Sequence, residues 1–178
     1  SSAASDVYKR QVNIFNRVDD LIDIDFELRD NKNESLIDIY ATEYISNDNI
    51  LGTAFAWDGW VDIDFKVSED ERENYITIVH EVGHSLGLAH PDGDGFNSSY
   101  DIYDTIMSYN DSPLLEDIWF SDADIYTLQR IYGLEEDIKK SLSVAEALMK
   151  KEFVERASSV SLKAAILPPS NNTFEPVI

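Results

Sequence analysis

The sequence predicts an α+β domain with a C-terminal extension, and three observations carry that prediction. Apolar and polar residues alternate in short runs between positions 22 and 65, which is the period of half-buried strands. A capped helical segment holding every histidine of the chain follows from about Ser68. A second run of helical spacing occupies residues 122–132, and Gly133 closes it.

The elements follow in order. Val12, Phe15, Val18 and Ile22 fall near helical spacing and predict the end of an amphipathic helix. Ile22, Ile24 and Phe26 alternate with Asp23 and Asp25, predicting a first strand. Leu36 to Ile45, Leu51 to Trp57 and Val61 to Phe65 predict three more, the last two joined at the Asp58-Gly59 turn signal. Ser68 and Glu71 have the spacing of a capping box, and the acidic first turn suits the helix dipole. That helix is expected to run to Leu86, with Gly87 as its C-terminal residue and Pro91 preventing its resumption. Residues 91–120 read as an irregular Asp- and Gly-rich segment. Helix 122–132 is expected to bury Ile125, Leu128, Ile131 and Tyr132. A further amphipathic helix is expected from about Ser141 to Arg156, ahead of a mobile tail.

The first eleven residues, SSAASDVYKRQ, resemble translated adapter sequence rather than a natural start. They are left out of the fold assignment, which puts an N-terminally incomplete domain at 12–133 and an extension at 134–178.

Composition narrows the function. Asp and Glu number 35 against 14 Lys and Arg, a net charge of -21. Such a surface repels nucleic acid and anionic membrane, so neither is expected as a partner. No apolar run is long enough to span a bilayer. The chain has no cysteine, which excludes disulfides and thiolate ligands. A metal site here must use nitrogen and oxygen.

All three histidines fall within HEVGHSLGLAH. His80 and His84 are four apart and so share one helix face, where two imidazoles can hold one zinc ion. Gly87 lets the chain turn sharply, and His90 arrives from another direction as a third ligand. Three protein ligands leave a position open for water, as catalytic zinc sites do. Glu81, next to His80, is placed to act as general base on that water. The plain alternative is a helix whose histidines are merely exposed or packed; the added glycine and third histidine make the pattern far more specific than HExxH alone.

HEVGHSLGLAH matches the HExxHxxGxxH pattern of the metzincin zinc peptidases, and the chain resembles that family. The resemblance spans residues 12–133 and is closest over 76–109. It implies a zincin-like fold: a twisted mixed sheet, an active-site helix and a C-terminal helical subdomain. Met107, in TIMSYN, would be the Met-turn methionine, packed beneath the metal without binding it. Pro91 after the third histidine and Tyr109 two residues past the methionine resemble the serralysins. Tyr109 would then bind zinc weakly or stabilise an oxyanion. ADIYTLQRIYG resembles the serralysin helix that follows the Met-turn. Gly52, Thr53, Ala54, Phe55 and Ala56 stand where metzincins place the edge strand over the cleft, and would pair with an extended substrate. An ordinary edge strand reads equally well there. The resemblance implies a secreted, extracellular, monomeric enzyme that acts on polypeptides with one catalytic zinc.

The chain also departs from the serralysin pattern. No glycine-rich calcium nonapeptides follow the domain, and the segment from 134 onward matches nothing in the family. The loop between His90 and Met107 is short. Asp92, Asp94 and Asn97 offer oxygens for calcium, although Gly and Asp are common turn residues without an ion. Two other functions compete: a non-catalytic zinc module or inactive protease fragment, against which Glu81 argues, and an acidic calcium-dependent adhesion module.

Overall fold

Alternation along residues 37–66 produces a three-stranded mixed sheet. β1 (Ile37–Thr42), β2 (Gly52–Ala56) and β3 (Val61–Lys66) stand in the order β1-β3-β2. β1 runs parallel to β3 with Ile37 opposite Val61, and β2 runs antiparallel to β3 with Gly52 opposite Phe65. β3 is therefore the central strand, and β2 is an edge. Residues 57–60 turn the chain between β2 and β3: the Trp57 N–H donates to the Trp60 carbonyl at 2.8 Å, and Gly59 takes φ 90°. A left-handed φ is open to glycine without a Cβ penalty.

The computed structural model describes residues 2–45, 49–112 and 117–136. Ser1–Ile138 form one compact unit. The helix expected over 141–156 and the tail lie outside the described residues. No helix among the described residues is long and apolar enough to cross a membrane.

Strand side chains alternate between faces, and one face of this sheet is apolar. Ile37, Ile39, Ala54, Val61, Ile63 and Phe65 belong to the core. α2 (Glu71–Ser85) lies across β2 and β3, placing Ile78, Val79 and Val82 in the same core. α1 (Ser2–Asp19) packs on α2 through Ile14 and Val18, both fully buried. α3 (Asp122–Tyr132) adds Leu128.

The structure corrects three of the expectations. Residues 22–26 do not form a strand. Their one ladder contact is an isolated bridge between Ile22 and Leu134, and the Phe26 N–H donates to the Asp19 carboxylate at 2.8 Å. The alternation there reports burial of Ile22, Ile24 and Phe26 against the core, not pairing with a neighbour. The helical segment at the start is continuous from Ser2; Val7 packs on the core and Arg10 pairs with Glu71 at 2.7 Å. The cap of α2 is Asp70 rather than Ser68. Its carboxylate accepts from the Arg72 and Glu73 N–H groups, while the Ser68 hydroxyl accepts from the Asp70 N–H. On α3, Ile131 is half exposed, and the buried polar residue is Asp124.

Candidate metal centre

The centre is built on α2 and on the chain that returns beneath it. His80 and His84, one turn apart, set their rings 4.8 Å apart and nearly perpendicular. The helix then ends sharply. The Gly87 N–H donates to the His84 carbonyl at 3.0 Å and the Leu88 N–H to the Gly83 carbonyl at 2.9 Å, with Gly87 at φ 93°. This reversal brings His90 back, so that its Nε2 lies 3.1 Å from His84 Nε2 and 3.3 Å from His80 Nε2. The three residues form a group able to hold a metal ion.

Hydrogen bonds on the far side of two rings define which nitrogen faces the centre. His80 Nδ1 donates to the Ile106 carbonyl at 2.8 Å, and His84 Nδ1 donates to the Leu88 carbonyl at 2.9 Å. A carbonyl oxygen only accepts, so both Nδ1 atoms carry a proton, which in a neutral ring leaves the Nε2 lone pair facing the centre. Burial pushes the pKa of His80 down to about 4. That of His90 is also lowered, by burial and then by His84. Both effects favour the neutral imidazole, which is the ligand form.

Glu81 is buried at 6% exposure, and burial pushes its pKa up to about 7. Its carboxyl lies under the start of β2. A Cβ on Gly52 would sit 2.7 Å from Glu81 Oε1 and 2.6 Å from Thr77 Cγ2, so the absence of a side chain at 52 makes the room. Gly52, Thr53, Ala54, Phe55 and Ala56 form the whole of the edge strand β2. Ala54 faces the core, and Phe55 points away from it.

Met107 and Tyr109 make different contacts around the histidines. Met107 is 1% exposed and rests against α2 at Gly83, where a Cβ would stand 2.6 Å from its Sδ. The ring of Tyr109 stacks on His80 at 5.2 Å and meets His90 edge-on at 4.7 Å. It lies over Gly95, whose carbonyl accepts the Tyr109 N–H at 2.7 Å. Burial, and then the charge of Glu81, raise the pKa of this tyrosine.

Several supporting residues were not singled out from the sequence. Asp124 accepts from Thr105 Oγ1 at 2.6 Å, the Ile106 N–H at 2.9 Å, and the N–H and hydroxyl of Ser121, each at 3.0 Å. It fixes the turn whose Ile106 carbonyl orients His80. The Ser121 and Asp124 spacing before an apolar run signals a capping box, but nothing in it foretells the reach to residue 106. Gly83 carried a signal too, because glycine inside a helix usually has a packing reason.

The loop after His90 holds itself with its own polar groups. Asn97 Nδ2 donates to Asp92 Oδ2 at 3.2 Å, Asp94 Oδ1 accepts the Phe96 N–H, and Asn97 Oδ1 accepts the Ser99 N–H. Among the described residues, no second set of histidine and carboxylate donors converges as the histidines do.

The centre thus combines three imidazole nitrogens with a buried carboxyl whose pKa is pushed up to about 7. It can hold a cation and can accept or release a proton beside it. No family model matches the chain, and no curated protein matches it in sequence.

Proposed function

We propose that the chain is a zinc-dependent endopeptidase of the metzincin type, resembling the serralysins in Pro91 and Tyr109. The observation that carries this reading is the convergence of three histidine nitrogens, on and just after the helix whose buried Glu81 carboxyl lies against Gly52, at the edge of the sheet among the described residues. The donor set fits zinc: bonds of about 2.0–2.1 Å at tetrahedral angles separate two ligand nitrogens by about 3.3 Å. The His90 separations of 3.1 and 3.3 Å agree with that figure. All-nitrogen ligation also suits zinc better than magnesium or calcium.

When bound, zinc supplies an electrophile that acidifies water and polarises a carbonyl oxygen. The chain's own residues do the rest. β2, the edge of the sheet among the described residues, offers its outer backbone groups to an extended polypeptide, which would add to the sheet as a further strand. Glu81, with a pKa near neutrality, takes a proton from the attacking water and returns it to the leaving amine. Tyr109 has a hydroxyl held in the protonated form and so able to donate to oxygen as charge develops. His80 and His84 keep their orientation through Ile106 and Leu88.

Glu81→Gln tests the proposal. The variant should retain about one zinc per chain and lose casein hydrolysis by roughly a thousandfold or more. Hydrolysis persisting at the wild-type rate in a zinc-replete Glu81→Gln chain would refute the mechanism.

A further inference from the structure

The face of the sheet turned away from α2 has a chemistry of its own. Asp38 and Tyr40 of β1, Phe55 of β2, and Asp62 and Asp64 of β3 alternate with the core residues and share this face. The register sets Asp38 directly opposite Asp62, and Phe55 opposite Asp62 on the other side. Like charges placed opposite each other on a sheet destabilise it. Among the described residues of the three strands, one ammonium, Lys66, shares the face with three carboxylates.

Two details sharpen this imbalance. Asp62 Oδ2 accepts the Trp57 indole N–H at 3.1 Å, but its Oδ1 is covered and has no hydrogen-bond partner. The pKa of the Tyr40 hydroxyl is raised, by desolvation and then by Asp38, Asp62 and Asp64 together. Beside the carboxylates runs a ladder of open aromatic rings. Phe55 meets Trp57 at 4.8 Å, and Trp57 stacks on Trp60 at 5.5 Å with planes 12° apart. Phe55 and Trp57 are 58% and 52% exposed.

Exposed ring faces beside carboxylates that have no ion pair among the described residues match one ligand chemistry, an organic cation on a flexible stem. The ring face attracts an ammonium or guanidinium, and the carboxylate pairs with it. Sugars also stack on such rings, but three carboxylates and a molecular charge of -21 favour a cation. The location specifies where that cation comes from. A polypeptide aligned on β2 would place every second side chain on this outer face, next to Phe55. Phe55 stands three residues, about 10 Å, along the strand from Gly52 and the Glu81 carboxyl.

We propose that this face selects basic polypeptides, seating a lysine or arginine over Phe55 and Trp57 beside Asp62 when the chain lies along β2. The inference rests on the peptidase reading for its substrate, but its binding step can be measured without turnover. Calorimetry of the full chain with a lysine-glycine peptide, its glutamate-glycine counterpart and a cello-oligosaccharide separates the outcomes. The lysine peptide should bind, the glutamate peptide should not, and Trp57→Ala and Asp62→Asn should each weaken binding roughly fivefold. Asp38→Asn serves the same purpose should Asp62→Asn fail to fold. In digests, peptides with a lysine at a fixed distance from the cleaved bond should lose kcat/KM in these variants while alanine peptides keep theirs. Equal binding of both charged peptides, binding unchanged in all three variants, or binding of the saccharide alone overturns the proposal. Lysine-peptide binding that depends on Trp57 and Asp62, without cleavage of any peptide, would leave the cation site standing and refute the peptidase reading. Cleavage with no preference for basic peptides would do the reverse.

Discussion

Glu81 follows His80 in the chain, yet the two side chains serve different neighbours: the imidazole turns to Ile106, and the carboxyl turns to Gly52. The position of that carboxyl depends on an atom that is missing. Gly52→Ala would drive a methyl into Glu81 and Thr77. Overpacking of this kind costs about 1–3 kcal/mol, and displacement of the base by an ångström costs about a hundredfold in rate. The expected result is a modest fall in Tm with a much larger fall in kcat/KM and no change in zinc content. Equal kcat/KM in wild type and variant would show that Gly52 does not set the geometry of Glu81. At this scale the sequence was most legible where spacing alone dictates proximity, as for His80, His84 and the Gly87 reversal. The contact between Gly52 and Glu81 was not legible, because it joins two elements whose approach no local pattern encodes.

The elements that support the centre are held by polar side chains at their ends. Asp124, near the start of α3, grips the turn at 105–107 through two donors, Thr105 Oγ1 and the Ile106 N–H, while Ser121 donates to it twice more. Asp124→Ala would strand a buried N–H and loosen the carbonyl that orients His80. The expected loss is about 2–4 kcal/mol of stability and about tenfold or more in zinc affinity. Thermal unfolding and competition with a chromogenic chelator measure the two effects, and an unchanged zinc affinity would separate Asp124 from the centre. At the other end of α2, Arg72 grips Asp111 with both nitrogens, at 2.7 and 3.1 Å. The Arg72 hydrogen bond is the main reason the Asp111 pKa lies below its ordinary value. A lowered carboxyl pKa contributes stability above the ordinary carboxyl range, and this is lost as pH falls through the folded value. Asp111 is largely exposed, so the pair contributes less than about 1 kcal/mol. Urea midpoints of wild type and Asp111→Asn should therefore differ slightly at neutral pH and converge in acid. A gap that widens in acid would contradict this sign. Strand and helix positions were readable from apolar period. The failed strand at 22–26 shows the limit, since alternation reports which side chains are buried and pairing needs a partner strand.

For the whole molecule, the opposing influences are a core gathered on one sheet face and a net charge of -21. Self-repulsion of that size destabilises the compact state and is screened by salt. Three imidazole nitrogens facing one another add a local demand for a cation. A ligand that binds only the folded chain raises its stability, by about 4 kcal/mol at a thousand times its dissociation constant. Chelation should consequently lower Tm, and zinc should restore it, at fixed ionic strength. Identical melting curves with chelator and with zinc would argue that the histidines hold no metal in solution. The α+β character of the chain was legible in the sequence, and so was the mixed sheet once the resemblance was drawn. The order β1-β3-β2 was not, because strand order depends on the crossover between elements distant in sequence.

The packing of Met107 on Gly83 has a consequence in oxidative chemistry. A thioether that becomes a sulfoxide gains a polar oxygen. The sulfur is sealed at 1% exposure, against a helix position with no room for even a methyl group. Peroxide can reach it only when the turn opens, so its oxidation rate becomes a clock for that opening. Once oxidised, the turn has no place to put the new oxygen, and the histidine it supports through Ile106 loses its fixed orientation.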